Sequence, residues 1–160
     1  MGSGKSILGK HIASRLSLVL VDLDDYIVEQ AGKTIPEIFE GEGEAAFRSM
    51  ESEVLAKVLQ ADKESIIATG GGAVLSSKNR ELMKASSAVI WLGASPEVLA
   101  ARITGDSNRP LLTGVDPLAK MKALSLERNP LYEEVSDLYV DTGKLTDEEA
   151  VAKILYFLSE

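Results

Sequence analysis

The chain has 160 residues, 45% of them hydrophobic, no cysteine and a formal net charge of −8. That length fits one domain with a single substantial core, and the lack of any long uncharged apolar run argues for a soluble globular protein and against a membrane span. The acidic balance weighs against binding a nucleic-acid backbone, which needs clustered cations, and the missing cysteines exclude disulfide and thiol chemistry and are compatible with a reducing compartment.

The first residues, Met1-Gly2-Ser3-Gly4-Lys5-Ser6, form the second half of the phosphate-binding pattern G-x-x-x-x-G-K-[ST]. Gly2 and Gly4 let the backbone turn tightly and bring its N–H groups to phosphate oxygens. Lys5 offers an ammonium to the β and γ phosphates, and Ser6 offers a hydroxyl to Mg²⁺. Ile7, Leu8, Ile12 and Leu16 then recur at helical spacing, so the loop runs into a helix whose N-terminus is an anion site. The complete pattern puts another glycine and a buried strand ahead of Met1. We therefore expect Met1 to be an internal methionine of a longer natural chain, and the sheet to lack its first strand.

Short apolar runs follow at Leu18 to Val21, Ser65 to Thr69, Ala88 to Leu92 and Leu138 to Val140, and each reads as a buried strand. The helices between them have legible starts. Thr34 with Glu37 and Thr146 with Glu149 fit capping boxes, while Ser95-Pro96 and Asp116-Pro117 pair an N-cap with a proline at the first helical position. Phe47, Met50, Val54, Leu55 and Val58 form one apolar stripe. Strand and helix alternate, which predicts an α/β fold with a short parallel sheet flanked by helices on both faces. The stretch from Gly105 to Val115 has no apolar periodicity, and with Arg109 it fits a loop over a site.

Ligands of parallel sheets sit beyond the carboxyl ends of the strands. There the sequence places Asp22-Leu23-Asp24-Asp25, Gly70-Gly71-Gly72 and Asp141-Thr142-Gly143. Asp22 suits Mg²⁺, directly or through its waters; Asp24 suits a substrate hydroxyl; Asp25 is the expected cap of the next helix. The triple glycine lets a backbone approach a ligand closely. His11 on the first helix reads as a surface or helix-packing residue and Trp91 as core packing, and Tyr132 also fits a packing role.

Five separated motifs then come together: Asp22-x-Asp24; Gly41-x-Gly43-Glu44 with Phe47-Arg48; Gly70-Gly71-Gly72; Arg109-Pro110-Leu111-Leu112; and Arg128-Asn129-Pro130-Leu131-Tyr132. In order and spacing they closely resemble shikimate kinase, over essentially the whole chain. The resemblance implies a P-loop kinase fold and transfer of a phosphoryl group from ATP to the 3-hydroxyl of shikimate, in the aromatic amino acid (chorismate) pathway. It implies that residues Gly2, Ser3, Gly4, Lys5, Ser6 and Ile7 bind the ATP phosphates, with Ser6 and Asp22 serving Mg²⁺. It further implies that Arg102 lies against adenine and that Arg109 closes on the nucleotide from a lid at about 105–115. Asp24, Arg48, Gly70, Gly71, Gly72 and Arg128 would hold shikimate, with both guanidiniums on its carboxylate. Lys5, Asp24 and Arg109 would be catalytic, in a cytoplasmic monomer with no nucleic-acid or membrane partner. Arg15 and Arg80, the two remaining arginines, read as solvated helix faces. The competing readings are a gluconate-type kinase on the same scaffold and an inactive binding domain.

Overall fold

Side-chain caps fix where most helices begin, and the observed elements start where those caps stand. The computed structural model describes residues 3–104 and 116–160. In chain order these are α1 (Lys5–Leu16), β1 (Val19–Asp22), α2 (Leu23–Ala31), α3 (Ile35–Glu42), α4 (Glu44–Leu59), β2 (Ser65–Ala68) and a 3-10 turn at Gly71–Leu75. There follow α5 (Ser77–Ser86), β3 (Ile90–Gly93), α6 (Pro96–Ile103), α7 (Pro117–Val135), β4 (Leu138–Asp141) and α8 (Asp147–Ser159). Thr34, Ser95, Asp116 and Thr146 all cap from their side chains, and Thr146 with Glu149 completes the reciprocal capping box. Gly43 ends α3 and begins α4 at φ +88°, a conformation L side chains rarely adopt, so this corner depends on glycine.

All four predicted strands form, and they pair in parallel. The sheet, however, comes in two halves. Val19 to Asp22 pairs with Ser65 to Ala68, and Ile90 to Gly93 pairs with Leu138 to Asp141, with no ladder between β2 and β3. Among the described residues no strand precedes α1. Helices cover both faces. On one, Leu8 and Ile12 of α1 pack with Val151 and Ile154 of α8 and take in Ile66, Ile90 and Leu92. On the other, Leu23, Ile27, Phe47, Val54 and Leu55 pack with Val74 and Met83 and take in Val21 and Ile67. Ile66 and Ile67 thus face opposite sides, the period-two alternation of a strand between two helix layers. A smaller cluster of Ala100, Ile103 and Met121 joins α6 to α7.

Two expectations need correction. The strands are mostly half-buried rather than buried, because β2 and β3 each leave one edge unpaired. Arg80 is no solvated residue: its Nη1 donates to the Val74 carbonyl at 2.7 Å and its Nε lies 3.4 Å from Glu134, tying the 3-10 turn to α7. The charge is retained there because a carbonyl and a carboxylate both receive it.

Candidate active site

The site gathers at the carboxyl ends of β1 and β2, where α1 begins. Gly4 caps α1 at φ +87° and ψ 13°, with no side-chain cap and no acidic residue in the first turn. The opening N–H groups of that helix are therefore left for an anion, which the helix dipole also favours. Lys5 follows at once. Its Nζ is buried, has no hydrogen-bond partner and sits 3.6 Å from Asp24 Oδ2, close enough for ion pairing and too far for a hydrogen bond. Ser3 is half-buried beside this loop, and Ser6 and Ile7 are exposed.

Asp22, rather than Asp25, is the cap of α2. Its Oδ1 accepts from the backbone N–H groups of Asp24 at 2.9 Å and Asp25 at 3.3 Å. The cap has a geometric reason: Asp22 is the last residue of β1, still extended at φ −90°, and the helix starts on the next residue. Oδ2 remains for another partner. The cap also fixes Asp24 in the first helical turn, aimed at Lys5. Ser6 and Asp22 together present oxygen ligands only, the donor set that Mg²⁺ accepts when waters and phosphates fill its other positions.

A second group of charges lies beside Asp24. Arg48 on α4 donates from Nη1 to Glu51 Oε1 at 3.0 Å and from Nη2 to Glu44 Oε1 at 3.3 Å, and its guanidinium stands over the Phe47 ring at 5.2 Å. Glu51 is 1% exposed and its Oε2 has no partner. Arg128 is 5% exposed with an unpartnered Nε. Lys5, Arg48 and Arg128 thus oppose two well-screened carboxylates, Asp24 and Glu51, while Glu44 lies at the exposed rim. A ligand carboxylate would complete the balance, and a guanidinium fork suits that shape.

The triple glycine explains how these groups fit together. A Cβ on Gly72 would overlap the Arg48 guanidinium, and one on Gly70 would stand 3.4 Å from Asp24 Oδ1 and 3.5 Å from Glu51 Oε2. Gly71 receives the Tyr132 hydroxyl on its carbonyl at 2.9 Å, so Tyr132 both packs against Trp91 and ties α7 to this loop. Pro130 lies inside α7, where it removes the hydrogen bond to the Leu126 carbonyl; Leu126 is exposed, so water can replace the lost rung.

Burial raises the Glu51 carboxyl above its ordinary 4.5, and the Arg48 guanidinium pulls it back by less. Burial likewise raises the Tyr132 phenol, opposed by Arg128.

The expected residues divide as follows. Lys5, Asp24, Arg48, Arg128 and Gly70 to Gly72 come together. Arg102 stands with another group: Nη1 donates to Thr142 Oγ1 at 2.8 Å and Nη2 to the Thr142 carbonyl at 2.7 Å, binding α6 to the loop after β4. Gly2, Arg109 and the segment 105–115 lie outside the described residues. His11 is exposed, which favours the surface role over helix packing. Glu51 was not anticipated. Its signal was available, because a glutamate three residues after Arg48 falls between Met50 and Val54 of the apolar stripe, where a charge needs a partner.

Comparison with known proteins gives the family. The family model described as shikimate kinase matches residues 1–159. The shikimate kinase of Symbiobacterium thermophilum is 42% identical over 162 residues, spanning 100% of this chain and 92% of the relative. Among solved structures, a shikimate kinase from Acinetobacter baumannii in complex with shikimate superposes with a TM-score of 0.95 at 38% identity, covering 99% of this chain and 88% of that one. The Bacteroides thetaiotaomicron shikimate kinase gives 0.91 at 31% identity, covering 100% and 94%. By the match over residues 1–159 and by relatives 42% and 38% identical over nearly its whole length, the chain belongs to the shikimate kinase family.

Proposed function

We propose that this site transfers the γ-phosphoryl group of ATP to the 3-hydroxyl of shikimate, giving ADP and shikimate 3-phosphate. The observation that carries the reading is the placement of Asp24 between Lys5, on the phosphate side, and the Arg48 and Arg128 group, on the substrate side.

Each residue then has a task that follows from its position. The α1 N-terminus and Lys5 hold the phosphates, and the buried Nζ, free of hydrogen bonds, keeps its donors for them. Arg48 and Arg128 take the shikimate carboxylate, and Gly70 to Gly72 let the ring approach the backbone. This clamp sets the reacting hydroxyl against Asp24. As the hydroxyl oxygen bonds to the γ-phosphorus, the bond to the ADP oxygen breaks, and Asp24 accepts the hydroxyl proton late in the transfer. Catalysis is therefore mainly positioning and charge neutralisation. Ser6 and Asp22 would hold Mg²⁺, which supplies charge neutralisation on the phosphates when bound. Arg102 serves the adenine side through the loop it shares with Thr142. The chain acts as one catalytic unit, a cytoplasmic monomer within aromatic amino acid biosynthesis.

A coupled assay of ADP release tests this directly, with shikimate, with gluconate and without acceptor. Release that depends on shikimate is the expected result. Release with gluconate alone would transfer the reading to a sugar-acid kinase, and binding of shikimate without turnover would make the chain a binding domain.

A further inference from the structure

Arg80 is a well-screened cation that phosphoryl transfer leaves without a task. It stands on α5 with its side chain only 16% exposed and its Nε buried. Keeping a guanidinium in such a place costs hydration, which its contacts must offset. Those contacts run to two different elements: Nη1 donates to the Val74 carbonyl of the 3-10 turn at 2.7 Å, and Nε pairs at 3.4 Å with Glu134 near the end of α7. A second tie spans the same two elements, since the Tyr132 hydroxyl of α7 donates to the Gly71 carbonyl at 2.9 Å. Between them Asn79 Nδ2 donates to the Ala73 carbonyl at 3.0 Å, so side chains hold the turn along its length.

What is held matters for the acceptor. Gly72, inside the turn, is the wall against which the Arg48 guanidinium lies, with no room for a Cβ. Arg128 is the other guanidinium, one helical turn before Tyr132 on the same face of α7. Its charge opposes the effect of burial on the Tyr132 phenol. The helix alone does not fix Arg128. Pro130 removes the bond to the Leu126 carbonyl, and prolines inside helices are where kinks arise, so Arg128 sits within a weakened turn. Met121 anchors α7 to α6 before that turn, and Tyr132 and Glu134 are the tied residues after it.

We propose that Arg80 and Tyr132 are positioning residues of the carboxylate clamp. Together they brace α7 against the glycine turn, and the brace sets the spacing between Arg128 and Arg48. A carboxylate presents two oxygens at a fixed separation in one plane, so two guanidiniums share it only at a matching distance. The brace therefore acts on the acceptor and not on the nucleotide, because Lys5 and the α1 N-terminus belong to neither braced element. The inference rests on Arg48 and Arg128 taking the acceptor carboxylate.

The test uses Arg80→Met, which keeps an apolar stem and removes both polar ties, and Tyr132→Phe, which removes one hydroxyl and keeps the Trp91 contact. Each raises the KM for shikimate roughly 10-fold and leaves the KM for ATP within about twofold. Arg80→Lys, which retains a cationic donor, recovers part of the loss. On an Arg128→Ala background, Arg80→Met lowers kcat/KM for shikimate little further, because the brace acts through Arg128. Melts accompany each variant, and where Arg80→Met does not fold, Tyr132→Phe decides by the same criteria. Parental shikimate KM in the folded variants, when Arg128→Ala alone impairs shikimate use, overturns the brace and spares the clamp. Equal losses for ATP, or a full further loss on the Arg128→Ala background, also overturn it, since a merely structural role behaves that way. If the parent shows no turnover with shikimate, or Arg128→Ala keeps the parental KM, the clamp reading itself falls and the brace with it.

Discussion

Gly72→Ala isolates the contact on which the carboxylate clamp depends. Gly72 does not occupy the positive-φ region, so alanine costs the backbone nothing; the added methyl instead falls on the Arg48 guanidinium. Arg48 must swing away, losing its 3.0 Å bond to Glu51 and its aim toward the site. A hydrogen bond to a charged group is worth about 1.5–3 kcal/mol, and at about 1.4 kcal/mol per decade this is roughly a 10- to 150-fold rise in the KM for shikimate. The KM for ATP stays within about twofold, because Lys5 and the α1 N-terminus are untouched. Steady-state kinetics with each substrate varied supply the numbers, and a melt confirms folding. The decisive step is the cycle with Arg48→Ala: if the methyl acts only through Arg48, adding it to that variant changes shikimate use little further. Additive losses, or an equal loss for ATP, would refute the reasoning.

Three further outcomes follow from the same geometry. Lys5→Ala abolishes most turnover while the melt persists, since Lys5 supplies charge to the phosphates and only a partly exposed ion pair to the fold; near-normal turnover would remove it from the mechanism. Glu51→Gln changes the pH dependence of stability. A carboxyl whose pKa is raised by folding binds its proton more tightly in the folded chain, so stability falls as pH climbs from 4.5 through the folded value. The glutamine variant lacks that loss and gains on the parent across the window, read by melts from about pH 4 to 8; a constant difference would count against it. Thr146→Ala removes the 3.1 Å bond that Thr146 Oγ1 accepts from the Glu149 N–H, leaves the reciprocal bond from the residue-146 N–H to Glu149 Oε1, and costs about 1 kcal/mol, or roughly 2–4 °C in Tm, without changing either KM.

Local signals made the elements legible. Caps at Thr34, Ser95, Asp116 and Thr146 work through residues within one turn, so spacing alone locates them. The misses share a different cause, which is partners far away in sequence. Arg80 looks solvated until the fold brings the Val74 carbonyl and Glu134 to it. Glu51 is readable as a charge on an apolar stripe, yet what it faces across the site, Asp24 and Arg128, comes from two other helices. The cap of α2 is a local exception: it falls on Asp22 rather than Asp25, because side-chain type does not say on which residue β1 ends, and one residue of register decides it.

The interrupted sheet and the site are also one mechanical problem. Asp24 is held from β1 through the Asp22 cap, the triple glycine hangs from β2, and the Thr142 loop that binds Arg102 hangs from β4. Lys5 is positioned by α1, which packs on β2 and α8 and so bridges the two half-sheets through side chains. Side-chain packing tolerates small rotations that a hydrogen-bonded ladder does not, and effective phosphotransfer requires reacting atoms held about 3–3.5 Å apart. Loosening that packing, as in Ile90→Ala, should therefore act most strongly on kcat, through the distance between Lys5 and Asp24. The two KM values should respond less, because each substrate is gripped mainly from one side of the gap between the half-sheets.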